Sequence, residues 1–96
     1  MHKFMTEAEL RHIGQRSQQA SAGPWISFVA GRDQESGDSY IMTGPDDSRG
    51  PDLILHGGTT DDQDFIAAAR QDIPRLLEEV RALHDILLVK NGIHMG

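Results

Sequence analysis

Five histidines, fifteen carboxylates and no cysteine are what this chain has for chemistry, and their spacing decides what they can do. His2, His12, His56, His84 and His94 show none of the HxH, HxxxH or HExxH spacings that let two imidazoles reach one ion from a single strand or helix. The Asp61-Asp62-Gln63-Asp64 cluster and the Pro45-Asp46-Asp47 turn lack the alternating ligands and the placed glycine of a calcium loop. Helix capping accounts for the first cluster and turn formation for the second. Without cysteine there are no disulfides, thiolate zinc sites or thiol nucleophiles. No serine sits in a G-x-S-x-G elbow, and no His–Asp pair is fixed by local spacing. Gly57-Gly58 before a helix offers free N–H groups to an anion, but Asp61, Asp62 and Asp64 already fill that field. The expectation is a protein that is not an enzyme and takes no metal or cofactor.

Binding is a separate question. The residues able to build a small-ligand site of nucleotide type are Trp25, Arg32, Arg49, His56 and Arg70. Each has a plainer reading beside that one. Trp25, after Gly-Pro, is a natural core anchor, and His56 is a strand-end histidine half in solvent. Arg70 follows three alanines, where it complements a helix dipole, answers the acidic middle of the chain, or clamps a ligand.

The charge is unevenly placed. Residues 1–32 carry net +2, residues 33–64 net −8, and residues 65–96 are neutral. So acidic a middle third repels phosphate backbones, and the one basic cluster, Arg11, His12 and Arg16, reads as a solvated helix face. Nucleic acid is therefore not an expected partner. No apolar run approaches the ~20 residues that cross a bilayer, and the first residues lack the apolar core of a secretory signal. A cytoplasmic protein is expected, with no membrane partner.

Ninety-six residues make one domain, spanning 1–96, and an average charged fraction of 25% argues against wholesale disorder. Thr6-Glu7-Ala8-Glu9 has the form of a capping box, and Leu10, Ile13, Ser17 and Ala20 follow at helical spacing until Gly23-Pro24 stops them. This predicts a helix over 6–21. Trp25–Ala30, Ser39–Thr43 and Leu53–His56 read as three short strands, joined by loops too short for crossover helices, hence an antiparallel meander over 25–56. Thr60 is the expected cap of the next helix, over 61–71. Asp72-Ile73-Pro74 then predicts a break and a second helix over 72–90, with one kinked helix as the alternative. The predicted class is α+β: an N-terminal helix, a three-stranded antiparallel sheet, and a C-terminal helix pair packed on one face of it.

The last helix carries the richest pattern. Ile73, Leu76, Val80, Leu83 and Leu87 recur at spacings of three, four, three and four, a heptad seam, and Ile86-Leu87-Leu88-Val89 is apolar all round. A chain of this size buries little, and one sheet cannot shelter such a run. Leu83, Ile86, Leu87 and Leu88 are therefore expected to form an oligomer contact, in a dimer.

Two stretches carry a resemblance. Residues 64–83, DFIAAARQDIPRLLEEVRAL, and the Ala22-Gly23-Pro24-Trp25 step are similar to the FIAxAR-x-D-[IV]-P-x-LL-x-EV run and the PGPW step of small, uncharacterised phage- and prophage-encoded proteins. Ala22 stands where those proteins have proline, and the stretches cover about a quarter of the chain. The resemblance implies a phage accessory origin in a bacterial host cell and an α+β fold, and it carries over no catalytic residue. With the acidic surface it leads to the expectation of a self-associating accessory protein that binds a host protein.

Overall fold

The computed structural model describes residues 3–35 and 37–90, in the order α1 (Glu7–Gln19), β1 (Trp25–Phe28), β2 (Tyr40–Thr43) and α2 (Thr60–Lys90). The α+β class and the helix-first order stand as the sequence implied.

Helix α1 starts on the expected reciprocal cap. Thr6 Oγ1 accepts from the Glu9 N–H at 3.1 Å, and the Thr6 N–H donates to Glu9 Oε1 at 2.9 Å. These bonds hold the Glu9 carboxyl below the usual carboxylate range. The helix closes at Gln19 with Ala20 as its cap, two residues short of the expected end at 21. Leu10 is its one buried residue, so a single anchor pins it to the body.

Strands β1 and β2 pair antiparallel, Trp25 opposite Thr43 and Phe28 opposite Tyr40, whose rings stack at 5.5 Å. The expected third strand, Leu53–His56, does not form. Only Leu53 joins, exchanging both backbone bonds with Ile41 at 2.8 and 2.9 Å. The ladder has no way to extend from that bridge. Toward the chain start the next facing residue would be Pro51, which lacks an N–H, and Thr43 Oγ1 donates to its carbonyl at 2.6 Å instead. Toward the chain end the next facing residue would be Ser39, which lies outside β2. The turn between them is fixed by Gly44, at φ +85°, where a Cβ would fall 2.6 Å from the Ser48 carbonyl oxygen.

The predicted break at Asp72 is also absent: α2 is one helix of 31 residues with Pro74 inside it. At ~1.5 Å per residue it is roughly 46 Å long, most of the 59 Å length of the molecule. Interior proline removes one helical hydrogen bond, but tertiary contacts hold both flanks of it here. Gln63 and Gln71 bind the sheet on one side of Pro74, and buried Leu77 packs on the other. The cap is Thr59 rather than Thr60. Its hydroxyl accepts from the Asp62 N–H and its own N–H donates to Asp62 Oδ2, both at 3.0 Å.

The sheet lies against the first half of α2, where Gln63 and Ala67 are buried. Helix α1 runs antiparallel beside α2. Its end meets Arg70 through Ser17 and Ser21, while Gly14 faces Leu77 and Arg81. The buried apolar core is small: Leu10, Val29, Ile41, Ala67 and Leu77.

Candidate functional site

Two of the five candidate ligand residues come together. Trp25 Nε1 and Arg70 Nε both donate to the Ser21 carbonyl, at 3.0 and 2.9 Å, and Arg70 Nη1 donates to Ser17 Oγ at 3.0 Å. Arg70 thus ties the end of α1 to the middle of α2. Both residues line a groove of about 420 Å³ between the helices, walled by Ile13, Phe65, Ala69 and Ile73. Arg16 and Arg70 are its only charged lining groups, and no carboxylate among the described residues pairs with either. The groove is apolar with a cationic rim.

The other three candidates lie outside that groove. Arg32 makes a two-pronged bond to Asp64, at 2.7 and 3.0 Å, and a second contact to Asp33 at 2.9 Å. The Arg32 guanidinium, helped by the Ser27 hydroxyl, holds the Asp64 carboxyl down to about 2. It lowers Asp33 as well, together with the Val29 N–H that Asp33 accepts from at 2.8 Å. Arg32 therefore staples the β1 turn to the start of α2. Arg49 closes its own turn on Asp46 at 2.7 Å. His56 is exposed on the segment leading to α2. No histidine among the described residues bonds a carboxylate, and no group of three histidine or carboxylate side chains among them is placed to hold a metal ion. None of their helices is long and apolar enough to cross a membrane.

The largest departure from ordinary surface is on α2. Four of the five heptad-seam residues, Ile73, Leu76, Leu83 and Leu87, are exposed, with Leu76 at 58% and Leu83 at 50%, and the fifth, Val80, is half-buried. Phe65 extends the stripe upstream at 73%, and Ile86 flanks its far end. Of the four residues expected at an oligomer contact, Leu83, Ile86 and Leu87 are on this open side. Leu88 is half-buried, and it shares a cleft with Leu87, Phe4, Glu7 and Arg81, while Leu83, Ile86 and Leu87 border a second hollow with Phe4 and Met5. The seam is open because the inner face of α2 is a different one, running through Gln63, Ala67, Gln71, Pro74, Leu77 and His84.

Sequence reasoning missed two side chains that place all of this. Gln63 Nε2 donates to Ser27 Oγ at 2.8 Å and to the Phe28 and Tyr40 carbonyls at 3.2 Å. Gln71 Oε1 accepts from the Trp25 N–H at 2.9 Å while its Nε2 donates to the Trp25 carbonyl at 3.2 Å, completing the free edge of β1 like a further strand. Their spacing of eight residues, two helical turns on one face, is the only signal the sequence offered.

Compared with known proteins, the chain matches no family model, no curated protein and no solved structure.

Proposed function

We propose that this chain is a non-enzymatic accessory protein of phage or prophage type that acts by self-association and by binding a host protein. One observation carries the reading. An apolar stripe runs along α2 from Phe65 to Leu87, ~33 Å, and the fold of a single copy leaves Phe65, Ile73, Leu76, Leu83 and Leu87 exposed. Apolar surface on this scale, contiguous and on one rigid element, marks a contact with another macromolecule. The acidic surface supports the second half of the proposal. Glu35, Asp38, Asp47, Asp52 and Asp61 are exposed with no ion-pair partner among the described residues, and such a surface steers association with a basic protein face. The GPW step and the 64–83 run support the phage origin.

The test compares the native chain with a Leu83→Asp, Leu87→Asp variant by light scattering at matched concentration. The native chain should scatter as an oligomer and the variant as a 10.6 kDa monomer. Equal monomeric masses would remove the self-association half of the reading. Binding to a host protein should weaken as salt rises, because exposed carboxylates act through screened fields.

A second reading is favoured by the Trp25–Arg70 groove: a site for a small anionic ligand of nucleotide type. Trp25 is the sole tryptophan, so its emission reports the groove directly. Titration with nucleotides should shift that emission and raise the melting temperature, since ligand at 100 times its dissociation constant adds ~2.7 kcal/mol. An unmoved emission and melting temperature across the panel would exclude it.

A further inference from the structure

We infer that two copies pair antiparallel along α2, so that the Leu83–Leu87 end of each fills the groove beside Trp25 of the other. This rests on the self-association reading and adds to it an orientation, a register and an occupant for the groove.

The seam itself sets the register. Continued upstream it reads Ala69, Ile73, Leu76, Val80, Leu83, Leu87, at spacings of four, three, four, three and four. That series is the same read in either direction. Turned end for end about residue 78, it lies on itself with Ala69 opposite the partner's Leu87, Ile73 opposite the partner's Leu83, and Leu76 opposite the partner's Val80. Every position meets one of the other kind, as knobs-into-holes packing of antiparallel helices requires. The contact is isologous, so it closes at two copies.

Shape agrees with register. At one end of the seam lies the 420 Å³ groove, with small Ala69 in its floor and Ile13, Phe65 and Trp25 around it. At the other end Leu83, Ile86 and Leu87 stay exposed beside Phe4 and Met5 of the same copy. A two-fold axis at residue 78 carries that exposed end of each copy over the hollow end of the other. A parallel pair would instead set hollow against hollow and bring Arg16 and Arg70, which have no carboxylate partner among the described residues, against their own copies.

Bulk agrees too. The sheet is fastened to the first half of α2 through Gln63 and Gln71, whereas beyond Leu77 the helix has α1 and the Phe4-Met5 segment before it alongside. Antiparallel pairing sends the two sheets to opposite ends; parallel pairing crowds them together. The contact is modest in size. A strip ~27 Å long and one helix diameter, ~10–12 Å, wide is roughly 300 Å² per copy before the groove walls are added, against ~800 Å² in a standard interface. The pair should therefore exchange with monomer as concentration changes.

The chain has no cysteine, so introduced thiols report alone. Ala69→Cys and Leu87→Cys variants, each separately and as an equimolar mixture, are treated with a short bismaleimide at a concentration where the native chain sediments above its monomer mass. In the antiparallel pair the two Ala69 positions are ~27 Å apart, beyond its reach, so each variant alone should stay uncrosslinked. The mixture should give a covalent dimer joined 69 to 87, and Trp25 emission of the native chain should move to the blue as concentration rises. Self-crosslinking of either variant alone, or no product from the mixture while the native chain still dimerises, would overturn the antiparallel register and leave self-association standing. A native chain that sediments as monomer throughout would overturn both.

Discussion

At the scale of single residues, a few polar side chains join the elements that the small core brings together. Gln63 is 4% exposed and meets three acceptors from both strands. Gln63→Ala should cost about 2–3 kcal/mol in urea unfolding, because Phe28 and Tyr40 carbonyls lose a donor inside the structure. Gln63→Glu should cost at least as much, since a carboxylate cannot donate to a carbonyl. A loss no larger than that of an exposed Gln18→Ala control would contradict the role given to it. Asp64 and Asp33 make a pH prediction with a fixed sign. Their carboxyls titrate lower folded than unfolded, Asp64 at about 2, so their contribution is present above pH ~4 and disappears as pH falls toward 2. The native chain should lose stability over that window, and Asp64→Asn should flatten the loss; an unchanged acid profile in the variant would show that the Arg32 staple is inert. Trp25 and Arg70 were legible as residues worth watching, but their shared acceptor, the Ser21 carbonyl, was not, because backbone acceptors leave no mark on a sequence. Gln63 and Gln71 were invisible for a related reason: a polar residue on a helix normally means solvent.

At the scale of elements, short-range rules succeeded where the reason was local. The Thr6–Glu9 box was readable because both partners lie within one turn. The cap of α2 fell one residue early because Thr59 and Thr60 are equivalent until one knows that Asp62 answers the first of them. The missing third strand and the unbroken α2 are tertiary overrides. Leu53–His56 has strand composition, yet Pro51 on one side and the start of β2 at Tyr40 on the other leave it a single bridge. Pro74 has the form of a first-turn proline, yet Gln63, Gln71 and Leu77 hold both flanks to one body. Because the helix tolerates that proline only through its packing, Pro74→Ala should raise the unfolding free energy by about 1–3 kcal/mol with unchanged helical circular dichroism. A destabilised variant would mean that the proline ring is part of the packing rather than a cost. Thr59→Ala should lower stability by ~1 kcal/mol, and Thr60→Ala by much less; the reverse order would move the cap back to Thr60.

At the scale of the whole molecule, the seam was visible from the sequence but the side it faces was not. Ile86-Leu87-Leu88-Val89 is apolar in every direction, so only the position of α1 and the sheet reveals that Leu88 turns inward while Leu83, Ile86 and Leu87 face water. A 96-residue chain whose helix continues well past its sheet exposes more apolar side chain than it encloses, and water penalises that arrangement at roughly 25 cal/mol per Å². The proposed pairing of two copies would remove that penalty. Sedimentation of the native chain over a wide concentration range tests this most directly: the weight-average mass should climb from 10.6 kDa toward twice that value, and a mass fixed at 10.6 kDa up to millimolar concentration would contradict the account.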